Sequence, residues 1–272
     1  MRASFSKLAI AVGLAFPLMA ANGANAETLR LAGTGGIIEA MRQVAPQFKA
    51  ATGIELQVIV GLGTSGAMRA IADGKIDVVA AGLPLNSEQT KGSLVSHPFA
   101  RTPMVLITSH PKPNGIKAAD IATIVAAENP KWEDGTPLRL ILRTKVDSDS
   151  ATIERLIPGV KDADTRARLR PDIPVAATDQ DNVELAQRLP GSFGLAGYGQ
   201  IVAEKCDLRV VPIDGIVPSL KTLEDGSYRY EKKFYLVFPR DRNAGAEKLL
   251  QFLRSDAGRQ ALLATGNLPV GE

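Results

Sequence analysis

Short apolar runs alternate with stretches of helical spacing along nearly the whole chain, and this alternation predicts an α/β fold. Thr28 to Ala32 reads as a first strand. From Ile37 to Ala51 the apolar residues recur on one helical face, and Thr52-Gly53 supplies the stop. Ile54 to Val60 follows as a second strand, and Ala67 to Ala72 as a short helix closed by Asp73-Gly74. Ile76 to Ala81 is nearly all apolar, as expected of a parallel strand covered on both faces. Together these segments predict a βαβαβ unit.

Two further strands, Met104 to Thr108 and Phe234 to Phe238, bracket a second α/β set. That set has a strand at Leu138 to Leu142, helical stretches near Ile153 and at Asn182 to Arg188, and strands near Gly194 and at Arg209 to Val211. The pattern predicts a first lobe made of residues 27–105 and 232–272 and an inserted second lobe of residues 106–231. Each lobe is expected to hold a mostly parallel sheet, and the two bracketing strands are the expected crossover hinges. Ala244 to Ala264 reads as a closing helix that ends at Thr265-Gly266, and Arg166 to Arg170 as a solvated basic face.

The first residues change the picture from fold to compartment. Arg2 and Lys7 precede the uncharged run Leu8 to Ala21, and Ala24-Asn25-Ala26 gives a small-x-small cleavage pattern, so residues 1–26 are expected to be a signal peptide. The run is shorter than the roughly 20 residues a membrane span needs. With no cysteine at the cleavage site to take a lipid, the expected product is free in the periplasm. Formal net charge is only +3, with 32 basic against 29 acidic residues, which argues against a nucleic-acid partner. Cys206 is the single cysteine, so neither an internal disulfide nor a zinc spacing is expected.

Candidate chemistry sits in three loops, each joining a strand to a helix through small or hydroxyl residues: Gly33-Thr34-Gly35-Gly36, Gly61-Leu62-Gly63-Thr64-Ser65-Gly66, and Asp147-Ser148-Asp149-Ser150-Ala151-Thr152. Free N–H groups at a helix start carry about half a positive charge, and glycine lets an anion approach them. The same residue types also cap helices and turn corners without binding anything. Arg143, at the end of a strand, adds a guanidinium suited to gripping an oxyanion with paired hydrogen bonds. Gly61, Gly63 and Gly66 fit G-x-G-x-x-G, but Ala80-Ala81-Gly82-Leu83-Pro84 stands where a ribose-reading acid is needed, so no dinucleotide cofactor is expected. His97-Pro98 and His110-Pro111 form no metal or catalytic spacing, and no G-x-S-x-G is present.

In these segments the chain resembles the phosphate-binding proteins of bacterial phosphate ABC transporters, within the type II periplasmic binding proteins. The likeness is carried by the first two loops, then by Asp77-Val78-Val79-Ala80-Ala81-Gly82-Leu83-Pro84-Leu85 and Ala119-Asp120-Ile121-Ala122-Thr123-Ile124. Lys131-Trp132-Glu133-Asp134-Gly135 and Gln187-Arg188-Leu189-Pro190-Gly191-Ser192-Phe193-Gly194 continue it in the family's order. The resemblance implies a two-lobed Venus-flytrap fold, a monomer with no enzymatic activity, and delivery of a small oxyanion, phosphate first, to a membrane permease. Expected ligand contacts are Thr34, Gly35, Gly36, Thr64, Ser65, Gly66, Arg143, Ser148, Ser150 and Thr152, with no metal site. Two departures stand out. Gly82 replaces the aspartate that accepts the proton of hydrogen phosphate, and Arg143 lies seven residues before Ser150 rather than within the family's R-x-D-G-S-G-T loop. Sulfate, molybdate or tungstate are therefore alternative ligands, and an exported phosphate-ester hydrolase using Ser65 or Ser150 is the alternative of another class.

Overall fold

The computed structural model describes residues 27–90, 92–241 and 244–270; the expected signal peptide lies outside them. The chain opens with β1 (Thr28–Gly33), α1 (Gly35–Thr52), β2 (Glu55–Ile59), α2 (Gly63–Ala72), β3 (Val78–Ala81) and α3 (Ser87–Thr90). The long strand β4 (Leu94–Thr108) then leads into α4 (Ala118–Ala126), β5 (Arg139–Leu140), β6 (Leu142–Arg143), α5 (Ser148–Leu156) and α6 (Val160–Ala167). Next come β7 (Val175–Ala176), α7 (Asp179–Arg188), β8 (Ser192–Gly197), α8 (Tyr198–Ala203), β9 (Arg209–Val211) and α9 (Leu220–Glu224). The chain returns through β10 (Glu231–Pro239), α10 (Ala244–Arg254), α11 (Asp256–Ala264) and β11 (Leu268–Pro269).

Period-two alternation sorts each strand onto two cores. In β3, Val78 and Ala80 face the core that holds Phe48 of α1, while Val79 and Ala81 face the one that holds Ala67 and Ile71 of α2. In β4, Met104 and Leu106 join a core with Trp132 and Phe193, whereas Val105 and Ile107 join one with Val183 and Ile201. Four cores, two for each side of the molecule, make a mixed α/β fold of two lobes. Burying each such side chain contributes about 1.5–3 kcal/mol, so neither lobe depends on the other for a hydrophobic interior.

The sheet order β2-β1-β3-β10-β4-β8-β5 passes through both lobes. Its first three strands are parallel, and β10 runs antiparallel to both β3 and β4. The strand read as Met104 to Thr108 is only the end of a 15-residue strand. Leu94 to Pro103 pair with β10, and Met104 onward pair with β8 and β9. Other boundaries shift for local reasons. α2 begins at Gly63 rather than Ala67, because Gly61 and Gly63 take left-handed φ of 83° and 60° and turn the chain directly into the helix. The single closing helix is two, broken at Ser255, whose hydroxyl caps α11 by accepting from the Gly258 N–H. The strand at Leu138 to Leu142 splits into β5, paired with β8, and β6, paired with β7. Arg168 is not on a solvated face: it is mostly buried, bonds Asp164, and donates at 2.7 Å to the carbonyl of Arg143.

Candidate functional site

The two lobes meet around a cavity of about 320 Å³ lined by the starts of four helices, α1, α2, α5 and α7. From the first lobe, Thr34 and Gly35 of the β1–α1 turn and Gly61 to Gly66 of the β2–α2 turn form one wall, with Arg69 one helical turn further on. From the second lobe, Arg143, Thr144, Asp147 and Ser148 form the opposite wall with Ala177 to Gln180. This edge is where open α/β sheets place ligands, because the strands deliver helix N-termini there.

The helix starts are not equivalent. α2 has Leu62 at its cap position and no side-chain cap, which leaves its first N–H groups without a side-chain partner, and Gly63 to Gly66 line the cavity with the exposed Ser65 among them. Thr64 Oγ1 accepts from the Gly82 N–H at 3.4 Å. At α5 the helix start is closed by the chain itself: Asp147 accepts from the N–H groups of Asp149 and Ser150. At α1, Thr34 Oγ1 donates at 3.2 Å to the carboxylate of Asp179, whose charge the nearby Gly36 N–H also favours. Of the expected contacts, Thr34, Gly35, Thr64, Ser65, Gly66, Arg143 and Ser148 line the cavity. Gly36 packs beneath it against Lys232. Ser150 is buried against Ile153 and the second-lobe core, and Thr152 spends its hydroxyl on the Ser148 carbonyl at 2.7 Å.

Behind the cavity lies a buried charge cluster, of which Arg143 and the loop residues Asp147 and Asp149 stood out in the sequence while Asp179 and Lys232 did not. Arg143 grips Asp147 through two nitrogens at 3.3 and 2.7 Å, approaches Asp179 at 3.4 Å, and donates to the Thr178 carbonyl. Lys232, fully buried at the start of β10, pairs with Asp149 and stands 4.0 Å from Asp179. Two cations thus face three carboxylates. Burial works against the charge of Lys232, but Asp149, then Asp179 and Asp147, outweigh it and push its pKa up. Burial also opposes ionisation of Asp179, yet Lys232, Arg143, Thr34 and Gly36 together hold its pKa below the usual carboxylate value. Asp149 takes the residual strain: burial first, helped by Asp147 and Asp179 against the pull of Lys232, pushes it up to about 6.

Gly82 is what admits this arrangement. A Cβ there would meet Ser148 Oγ at 2.6 Å and Lys232 Cε at 3.5 Å. The carboxylate absent from position 82 is thus replaced around the site by three others, none of them on the same strand end. Period-two reading would have found Lys232, since it is in phase with Phe234, Leu236 and Phe238 on the buried face of β10. Asp179 carried a weaker signal, a first-turn acid after the helix-capping Thr178.

Neither histidine lines the cavity. His97 stacks on Phe238, and His110 stacks on Trp132 and bonds Asp134. Among the described residues no group of three or more histidine, cysteine, aspartate or glutamate side chains is arranged to hold a metal ion.

Comparison with known proteins agrees with this geometry. The sequence profile of a PBP superfamily domain matches residues 19–257. No curated protein matches the chain. Among solved structures, the chain is similar to a putative phosphate ABC transporter substrate-binding protein with bound phosphate from Clostridium perfringens, with a TM-score of 0.77 at 15% identity over 90% of this chain and 100% of that one. It is also similar to an ABC-type phosphate transport receptor from Vibrio cholerae, at TM-score 0.62 and 12% identity over 88% and 99%. The periplasmic molybdate-binding protein of Azotobacter vinelandii follows at TM-score 0.59 and 14% identity over 90% and 100%. With two lobes, a cleft at the strand ends and a profile match over most of its length, the chain belongs to the PBP superfamily.

Proposed function

We propose that the chain is an exported solute-binding protein that captures a small tetrahedral oxyanion, phosphate first, between its lobes and hands it to a membrane ABC permease. The observation that carries this reading is the uncapped start of α2, whose residues Gly63 to Gly66 line the interlobe cavity together with Arg69. Neutral donors and a helix start suit an anion that must be released again, since they hold it by many moderate bonds rather than by one ion pair. Thr34, Gly35, Arg143 and Ser148 complete the wall. The similar structures named for phosphate and molybdate support the ligand class. The leader of residues 1–26 supports export to the periplasm.

Catalysis is not part of this reading. Of the two serines considered as nucleophiles, Ser150 is buried against the second-lobe core, and Ser65 has no histidine beside it in the cavity wall to act as base.

A thermal-shift panel of phosphate, sulfate, molybdate and tungstate tests the function. A ligand at 100 times its dissociation constant adds about 2.7 kcal/mol of stability. We expect phosphate to raise the melting temperature at micromolar to millimolar concentration. No shift with any tetrahedral oxyanion would overturn the reading.

A further inference from the structure

We propose that Asp179 is a built-in competitor anion: its carboxylate occupies the first-lobe half of the oxyanion site and holds the cleft shut until a ligand displaces it. The competition rests on the oxyanion reading above, whereas the shut cleft rests on geometry alone.

Asp179 belongs to the second lobe, at the first position of α7, yet its partners come from both lobes. It accepts from Thr34 Oγ1 at 3.2 Å, and the nearby Gly36 N–H favours its charge; both groups stand at the start of α1 in the first lobe. Arg143 of the second lobe stands at 3.4 Å and Lys232 of the crossing strand β10 at 4.0 Å. A hydroxyl, a helix-start amide, a guanidinium and an ammonium around one anion are the surroundings an oxyanion ligand would itself require.

A duty within its own helix does not explain the placement. α7 is already capped by a reciprocal pair, Thr178 accepting from the Asp181 N–H and Asp181 accepting from the Thr178 N–H. The neighbouring residue repeats the contact between lobes, Gln180 Nε2 donating to the Gly35 carbonyl at 3.3 Å. Gly35 leaves room for both: a Cβ there would lie 2.5 Å from Gln180 Oε1 and 2.7 Å from Asp179 Cβ.

Charge balance turns occupancy into competition. Arg143 and Lys232 already face Asp147, Asp149 and Asp179, so a dianion added to the cluster meets a net negative surround. Withdrawal of Asp179 toward solvent frees Thr34, Gly36 and part of Arg143 at once and removes one negative charge. The observed affinity is then the intrinsic affinity reduced by the fraction of molecules in which Asp179 has left.

The experiment joins scattering and calorimetry on the full exported protein. Without ligand, Asp179→Ala should show a larger radius of gyration than wild type, and it should compact when phosphate is added while wild type changes little. Thr34→Val, which keeps every charge paired, should loosen the ligand-free cleft in the same sense and decides the matter if Asp179→Ala does not fold. Ligand-free curves that superpose for wild type and whichever variants fold overturn the shut cleft. In titration with inorganic phosphate, Asp179→Asn should bind at least tenfold tighter than wild type. Equal or weaker binding overturns the competition and makes Asp179 a ligand contact or a structural ion pair. If neither protein binds phosphate, sulfate, molybdate or tungstate, the oxyanion reading is overturned instead, and the scattering result still decides the cleft.

Discussion

Asp149 is the residue on which the excess negative charge of the cluster falls. It is fully buried, one of its carboxylate oxygens has no hydrogen-bond partner, and burial with Asp147 and Asp179 pushes it up to about 6. In the unfolded chain an aspartate titrates near about 3.9. Between those values the folded protein binds the extra proton, so the stability this group contributes is fully present below about pH 4 and is lost as pH rises through about 6. Asp149→Asn removes that dependence. Its stability relative to wild type, from urea denaturation, should therefore rise between about pH 4 and about pH 6.5 and then level off; a difference that does not vary with pH would mean that Asp149 is ionised throughout. Ser65 is the opposite kind of residue, exposed and uncommitted. Among the described residues no hydrogen bond engages its hydroxyl within the fold, so Ser65→Ala should leave the melting temperature within a degree or two and weaken phosphate binding by about 1–3 kcal/mol in calorimetry. Unchanged affinity would place the anion elsewhere in the cleft.

At the scale of elements, what could be read from the sequence depended on whether local chemistry or tertiary contact fixed it. The β1-α1-β2-α2-β3 unit was legible because each strand is short, apolar and followed by a turn signal, and the structure keeps all five elements. The loops that open α1, α2 and α5 were legible for the same reason. Their different fates were not, because capping by Asp147 is local but occupation of the α1 start by Asp179 joins residues 145 positions apart. Lys232 escaped notice as one of a charged pair with Lys233, although strand alternation buries one and exposes the other. The β1–α1 turn also depends on a contact that spacing does not reveal. A Cβ on Gly33 would lie 1.9 Å from the carbonyl oxygen of Ala80, the atom that accepts from the Thr34 N–H at 2.9 Å. Gly33→Ala must spread β1 from β3 and displace Thr34, at about 1–3 kcal/mol or more. We expect both a lower melting temperature and weaker phosphate binding; a variant as stable as wild type would show that this edge of the sheet yields freely.

For the whole molecule the question is whether two lobes with separate cores fold as one unit. Each has its own hydrophobic interior, which on packing alone permits independent unfolding. Two features oppose that. β4 is one continuous strand that pairs with β10 from Leu94 to Pro103, apart from a bulge at Phe99, and with β8 and β9 from Met104 onward, so fraying of either lobe removes partners from a strand the other needs. The charge cluster is also completed only across the lobes, since Lys232 and the start of α1 face Asp149, Asp179 and Arg143. Unfolding one lobe alone would leave buried charges of the other without partners, and an uncompensated buried charge costs about 3–5 kcal/mol. That penalty suppresses a half-folded state in which one lobe stays compact. Trp132, the single tryptophan, lies in a second-lobe core and reports that lobe by fluorescence, while far-ultraviolet circular dichroism reports both. Urea curves from the two probes should therefore coincide in a single transition. Replacing Lys232 by methionine removes one side of the coupling, and we expect the two curves to move apart in that variant; separate transitions already in wild type would show that the crossing strand and the cluster do not bind the lobes into one cooperative unit.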